Sequence, residues 1–261
     1  LSRRIQVLEA RIGVSLFVRG HRSVRITDEG ERYLVQVRTA IEMLREAGAS
    51  IGVVPQRTIR VQAAAGIAGT WLAQEIVRYQ NVDPTIEFVL SGTYSLAALR
   101  SGAVDVAIRY GEDDWGRLVR RPLMSEEVVP VAAPVYLARV GPFSAPRDLK
   151  RAALLRHPQL SWRRWFAGIG VEGAEPQHGA LFDDALVMLE AAAQGAGVAL
   201  MVASVLERSR IRDQLIRLFP AVPDQAYFVV MSEAASERRW VREFVSWLVR
   251  RARGETGFAP I

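Results

Sequence analysis

Residues 1–26 carry two different patterns of apolar and polar positions. Apolar side chains at spacings of four, three and four predict one face of a helix: Leu1, Ile5, Leu8 and Ile12. Gly13 follows where a helix commonly ends. Residues 16–18 and 24–26 predict two short strands around a turn that contains Gly20. A helix followed by a basic hairpin is typical of a winged helix-turn-helix; the alternative is a solvated helix end beside an ordinary hairpin.

A second, longer apolar pattern predicts a helix over residues 27–52. Thr27 is a favourable N-cap, and the acidic residues Asp28 and Glu29 fall in the first turn. Apolar or small residues then alternate at spacings of four and three: Gly30, Leu34, Val37, Ile41, Leu44, Gly48 and Ile51. This narrow seam predicts a linker helix that forms a homodimer or homotetramer through Leu34, Val37, Ile41 and Leu44. The alternative is that the helix packs on its own chain, and residues 53–57 predict a hinge.

Strand and helix patterns alternate through the rest of the chain. Six segments predict strands: residues 58–64, 85–90, 105–109, 126–133, 198–201 and 226–231. Four segments predict helices: residues 69–80, 94–102, 183–195 and 236–251. This alternation predicts an α/β fold with largely parallel strand pairing.

Charge and composition narrow the function. Residues 1–25 contain six arginines and one glutamate, a net charge of +5 out of +6 for all 261 residues. Such a basic end favours a polyanionic partner, or else a merely solvated face. The absence of cysteine excludes disulfides and zinc thiolates. No apolar run is long enough to span a bilayer, so we expect no membrane partner and a cytoplasmic location.

The N-terminal residues resemble the second half of the DNA-binding domain of LysR-type transcriptional regulators. The resemblance rests on residues at fixed spacing: Leu1-Ser2-Arg3-Arg4-Ile5, Leu8-Glu9, Ile12-Gly13, Leu16-Phe17, Arg19 and Thr27-Asp28-Glu29-Gly30. It implies that residues 1–26 are a recognition helix and wing, with double-stranded DNA as partner and RNA polymerase as a further candidate. The implied DNA contacts are Ser2, Arg3, Arg4, Arg19, His21, Arg22 and Arg25. The family has the first helices of the domain before this point, so we expect this chain alone not to bind DNA specifically.

The resemblance continues over residues 58–261. It implies an effector-binding domain of two periplasmic-binding-protein-like (type 2) lobes joined by two crossover strands. Lobe 1 would comprise about residues 58–128 and 228–261, and lobe 2 about residues 129–227. The segment "HPQLSWRRWFAGIG" further resembles the branch that includes regulators of glycine cleavage.

Ligands of open α/β sheets bind beyond the carboxyl ends of the strands, where helix N-termini offer N–H groups. By that rule an effector site is expected at Ala65, Gly66, Ile67, Ser91, Thr93, Arg109, Phe182 and Asp183. Arg109 could clamp a carboxylate, or pair with an acidic residue at the rim. If it faces the cleft, its removal should lower affinity and leave stability almost unchanged. Ser91 and Thr93 could bind a ligand or simply cap helices, and Gly66 replaces a hydroxyl residue common in the family.

Other candidate chemistry finds little support. The three histidines, His21, His157 and His178, form no cluster in the sequence, so no metal or other cofactor is expected. Trp162 and Trp165 are expected to pack in a core. No nucleophile-elbow, zinc-protease or phosphate-loop motif occurs, so we expect no enzyme. The alternative function is a solute-binding protein or a prephenate-dehydratase-like enzyme with the same two-lobe fold.

Overall fold

The computed structural model describes residues 3–19, 24–34, 36–37, 40, 57–92, 96–111 and 115–254. The chain divides into two compact units. One contains residues 1–56 with 101–103, and the other contains residues 57–100 with 104–261. Each unit is described by itself.

The N-terminal unit has a helix and a two-stranded hairpin followed by a second helix. They are α1 (Arg3–Ile12), β1 (Phe17–Arg19), β2 (Val24–Ile26) and α2, which includes residues 28–34. Gly13 ends α1 with a φ of 75°, as predicted. The Glu9 carboxylate accepts hydrogen bonds from the backbone N–H groups of Leu16 (2.7 Å) and Phe17 (3.1 Å), so it fixes the start of β1. Thr27 caps α2, because its Oγ1 accepts from the Gly30 N–H at 2.9 Å.

Gly30, the first position of the apolar seam of α2, packs against the hairpin of its own chain. A Cβ at this position would lie 2.2 Å from the carbonyl oxygen of Leu16 and 2.7 Å from a side-chain carbon of Ile26. Only glycine allows the helix to approach the hairpin this closely. The first seam position therefore packs within the unit and is not available to a partner helix.

The second unit is built on one seven-stranded sheet. Its strands are β3 (Arg57–Ala63), β4 (Ile86–Ser91), β5 (Val106–Tyr110), β6 (Val119–Ala132), β7 (Ala199–Val202), β8 (Ile216–Arg217) and β9 (Val222–Met231). The order is β4-β3-β5-β9-β6-β7, and β8 pairs with β6. Only β3–β4 and β3–β5 are parallel among these named strands, while every pair that involves β6 or β9 is antiparallel. The prediction of largely parallel pairing is therefore wrong.

The long strands β6 and β9 explain this difference. The last residues of β9 lie between β5 and the first residues of β6, so Met231 pairs with both Val106 and Val119. The last residues of β6 pair instead with β7 and β8. Because β6 and β9 cross from one half of the sheet to the other in opposite directions, they add antiparallel ladders that a strand-helix alternation does not reveal.

Helices pack against the sheet. They are α3 (Ala65–Ile67), α4 (Ala73–Val82), α5 (Leu96–Arg100), α6 (Pro134–Val140), α7 (Trp162–Gly168), α8 (Ala185–Ala193), α9 (Ala203–Arg208), α10 (Glu233–Glu237) and α11 (Arg239–Ala252). A π-helical segment, Ala68–Leu72, joins α3 to α4, and two 3-10 helices cover Pro146–Arg151 and Arg212–Gln214. The sequence patterns did not predict α6, α7, α9 or α10.

The aromatic residues of α7 form part of the main core. Trp162, Trp165 and Phe166 are almost wholly buried, and the two indole rings meet edge to face with centroids 6.0 Å apart. The Trp162 indole N–H donates to the carbonyl oxygen of Leu155 at 2.8 Å. The prediction that these tryptophans pack in a core is confirmed.

Candidate functional site

The predicted wall at Ala65–Ile67 is packed against other helices. Ile67 is fully buried in the main core, so only its backbone is left to meet the predicted ligand. A Cβ on Gly66 would lie 3.5 Å from the Val205 side chain of α9 and 3.9 Å from the Ala185 Cβ of α8. This turn therefore contacts α8 and α9, and Gly66 does not open onto empty space.

Arg109 is buried, with 6% of its surface exposed. It is the penultimate residue of β5 and pairs with Phe228 of β9. Side chains alternate along a strand, so Arg109 lies on the same face as Ala107, which packs in a small cluster with Leu99 and Trp115. Arg109 also has at least one interaction within the protein. Because Arg109 is buried and has an interaction within the protein, we now expect its removal to lower stability, unlike the expectation from the sequence.

The remaining predicted residues occupy different environments. Ser91 ends β4 and pairs with Gln62 of β3, and Thr93 lies outside the described residues. Phe182 is half-buried against the main core, and its backbone N–H donates to the Arg156 carbonyl at 2.9 Å. Asp183 is exposed, whereas its neighbour Asp184 caps α8 by accepting from the Leu186 N–H at 2.8 Å.

A buried polar network joins three distant parts of the chain beside this region. The Tyr110 hydroxyl donates to one Asp224 oxygen at 2.7 Å, and Arg164 donates through Nε to the other at 2.7 Å. Gln159 donates to the Tyr110 carbonyl at 3.3 Å. Burial and the Asp224 hydrogen bond raise the pKa of Tyr110 far above its usual range, so the phenol stays neutral. Local periodicity could not find this network, because Tyr110 lies 114 positions from Asp224 and 49 from Gln159.

His157 lies beside the same network and is also neutral near pH 7. It follows a segment in which Leu154 pairs with Val198, directly before β7, and its Nδ1 accepts from the Gln159 N–H at 3.1 Å. Burial lowers the pKa of the imidazole, against a weaker opposite effect of Asp183 and Asp184. Across the described ranges, no three His, Asp or Glu side chains are placed to hold a metal ion, and no helix is long and apolar enough to cross a membrane.

Comparison with known protein families identifies the two parts of the chain. The profile of the LysR substrate binding domain matches residues 53–253, and that of the bacterial regulatory helix-turn-helix protein of the lysR family matches residues 1–31. The chain belongs to the LysR family of transcriptional regulators. It is thus a DNA-binding regulator with an effector-binding domain; LysR regulators bind DNA and effector ligands and act as oligomers.

Individual relatives agree with this assignment. The chain is 26% identical to the glycine cleavage system transcriptional activator of Escherichia coli K12, over 98% of this chain and 85% of that protein. The effector domain of AmpR from Pseudomonas aeruginosa has a TM-score of 0.67 at 27% identity, covering 76% of this chain and 96% of that one. Full-length AphB of Vibrio cholerae shares the fold, with a TM-score of 0.66 at 20% identity, covering 95% of this chain and 87% of that one.

These comparisons confirm several predictions made from the sequence. The resemblance to LysR regulators of the glycine-cleavage branch is confirmed, as is the fold of a winged helix-turn-helix part followed by periplasmic-binding-protein-like lobes. Because the family and the relatives are regulators, the prediction that the chain is not an enzyme is also confirmed. The lobe boundaries and the individual site residues remain predictions.

His157 yields a prediction about pH. The pKa of a buried imidazole is below the unfolded value near 6.5, so the unfolded chain takes up this proton first as the pH falls. The free energy of unfolding should therefore decrease as the pH falls from about 6.5 towards the pKa of the folded state. His157→Gln should remove this part of the decrease. Urea unfolding between about pH 5 and pH 8 measures it. The exposed His178→Gln is the control, and a slope unchanged by His157→Gln would contradict the argument.

Proposed function

We propose that the lobes of this LysR regulator close around a small organic anion and that this closure controls DNA binding by residues 2–25. The observation that carries the proposal is the position of Arg109. It lies at the carboxyl end of β5, next to Tyr110, whose carbonyl and hydroxyl are bonded by Gln159 and Asp224. A fixed guanidinium beside the junction of the lobes suits a carboxylate, which it can bind through two parallel hydrogen bonds.

The proposed anion site predicts a loss of affinity in Arg109 variants. Arg109→Ala should cost about 2–5 kcal/mol of binding free energy and should also lower the Tm, because the arginine is buried. Arg109→Lys keeps the charge but not the forked geometry, so it should bind more weakly than the wild type with a smaller loss of Tm.

A thermal-shift screen of small carboxylates measures both effects at once. Arg117→Ala is the matched control, because it removes an arginine that is 89% exposed and paired only on the surface with Glu233. If a carboxylate raises the Tm of the wild type and of Arg109→Lys equally, Arg109 serves the core and not the effector.

The DNA-binding proposal rests on the charge of the N-terminal unit. Arg4, Arg11 and Arg25 are exposed, whereas the single acidic side chain among residues 1–25 is occupied by backbone N–H groups. The other predicted contacts, Ser2, Arg3, Arg19, His21 and Arg22, have side chains outside the described residues. The exposed charged side chains described in α1 and β2 are therefore positive, as phosphate contact requires.

Salt-dependent binding tests this proposal. We expect the protein to bind a selected duplex, with affinity that falls as salt rises because phosphate contacts release counterions. Arg4→Ala and Arg25→Ala should each reduce the slope of log K against log salt by about one. Arg32→Ala, an exposed arginine of α2, is the control for fluorescence anisotropy. An affinity that does not change with salt, or a slope unchanged in both variants, would contradict the proposal.

The oligomer is proposed to form through the seam that begins after Gly30. Leu34 is 38% exposed and Val37 is partly exposed, while Ile41 and Leu44 lie outside the described residues. Apolar side chains left open on a helix that already packs at Gly30 are suited to a second copy of the same helix.

Replacement of Val37 tests the seam. Val37→Asp should leave a buried, unpaired charge in the oligomer and produce smaller species at micromolar concentration. Gln36→Asp adds the same charge at the adjacent exposed position, so its mass should not change. Analytical ultracentrifugation compares them. An unchanged mass for Val37→Asp would mean that the oligomer forms elsewhere or that the seam packs on its own chain.

We also propose RNA polymerase as a partner of the regulator and the cytoplasm as its location. The Escherichia coli relative is named a transcriptional activator, and an activator acts where the promoter and the polymerase are. The family profile describes bacterial regulatory proteins, which supports the cytoplasm as the place of action.

A further inference from the structure

Lobe 2 contains a cavity of about 740 Å³ that includes none of the predicted effector residues. Its open apolar surface comes mainly from Leu154, Pro176 and several alanines, and the almost fully buried Leu155 and Phe166 lie behind them. Lys150 and His178 are both exposed at its edge. The volume is within the range of pockets that bind small molecules.

The direction of the strands separates this cavity from the junction of the lobes. Leu154 pairs in parallel with Val198, and Arg156 pairs in parallel with Leu181. The candidate effector region follows the carboxyl ends of these segments, at His157 and Phe182. The cavity residues lie at their amino ends, around 150–155, 179–180 and 196. Leu155 and Ala180 each lie two positions before the other end, so about 7 Å of extended chain separates the two ends.

The loop that forms the outer wall is held in place from three sides. Glu175 accepts from the backbone N–H groups of Trp162 (3.3 Å) and Arg163 (3.1 Å) and from the hydroxyl of Ser161. Arg156 donates to the carbonyl oxygens of Gln177 at 3.4 Å and of residue 179 at 3.5 Å. These contacts join the loop to the start of α7 and to the neighbouring strand.

The third contact is at Gly173. A Cβ there would lie 2.3 Å from the Phe166 ring, so the loop backbone rests directly on that ring. The wall is therefore part of the fold, and the cavity does not depend on a ligand to order it. A preformed cavity requires little ordering on binding, which favours affinity.

The charges at the cavity favour an anion. Lys150 is the only lysine in the chain, and no carboxylate side chain lines the cavity. Asp148 lies two positions away. Its carboxylate accepts from the backbone N–H groups of Ser144 and Ala145, so it is hydrogen-bonded within its own turn. An apolar cavity with one ammonium group at its edge suits a ligand with an apolar body and one acidic group.

We propose that this cavity is a second ligand site, separate in position from the effector site, which binds an organic anion with an aromatic or branched apolar body. The apolar body packs on Leu154, Pro176 and the alanines, and the acidic group lies beside the Lys150 ammonium. The proposal depends only on lobe 2 and stands whether or not Arg109 binds the effector.

The first test uses 8-anilino-1-naphthalenesulfonate, whose fluorescence rises in apolar surroundings. Lys150→Glu should weaken binding at least about tenfold, because attraction becomes repulsion, while Lys150→Arg should retain it. Ala174→Trp should abolish binding by filling the cavity from an exposed position. Val187→Trp adds the same ring at an exposed position of α8 outside the cavity, and it should bind as the wild type does. The Tm of each variant verifies that it is folded.

The second test uses the unique lysine. Acetylation with limiting reagent, followed by peptide mass spectrometry, gives the rate at Lys150 relative to the N-terminal amine in the same molecule. Bound probe should lower the acetylation rate of Lys150 at least about threefold. The rate at the N-terminal amine should not change, since only Lys150 lies at the site. Equal binding by wild type, Lys150→Glu and Ala174→Trp, or an unchanged ratio of acetylation rates, would overturn the proposal.

Discussion

The antiparallel pairing of β6 with β9 is the constraint on which the effector-binding domain depends. These strands carry the chain from lobe 1 to lobe 2 and back, and they hydrogen-bond to each other from Val119↔Met231 to Val128↔Val222. The register shifts between Pro122 and Met124 and again between Ser125 and Glu127. Proline has no N–H to donate and bulges bend a strand, so the ladder is weakest where the chain passes between the lobes. Bending is therefore expected there and not within either lobe.

Buried polar groups surround this crossing and hold the lobes in one arrangement. Glu126 of β6 is 6% exposed and accepts from the Ser204 hydroxyl of α9 at 2.6 Å, and burial raises the pKa of its carboxyl. Asp224 of β9 accepts from the Tyr110 hydroxyl through Oδ2 and from the Arg164 guanidinium through both carboxylate oxygens. Because an unsatisfied buried polar group is costly, these bonds must be kept or exchanged together when the lobes move. A ligand changes the arrangement only by its difference in affinity for the two states.

The parts of this structure that sequence can predict are those set by local patterns. Strands β3, β4, β5 and β7 lie close to the predicted segments, since each is a short apolar run. The first half of β6 is not predicted because it is polar, exposed and contains Pro122. This half of β6 forms a strand because it pairs with β9, which is distant from it in the sequence. Arg109 is correctly predicted to lie on a strand, but the cluster on the same face of β5 includes Trp115 and Leu99, which no periodicity connects to that strand.

Helix α7 contacts both the lobe 2 cavity and the polar network at Asp224. Its first turn is capped by Ser161 and Glu175, Phe166 lines the lobe 2 cavity, and Arg164 is bonded to Asp224 at the crossing strand. Trp162 and Trp165 bury the inner face of the helix almost completely. Closely packed side chains of this kind move together, because there is little free space for one of them to move alone. A displacement of Phe166 that is larger than a rotamer change would therefore shift Arg164 as well, and with it the bond to the strand about which the lobes bend.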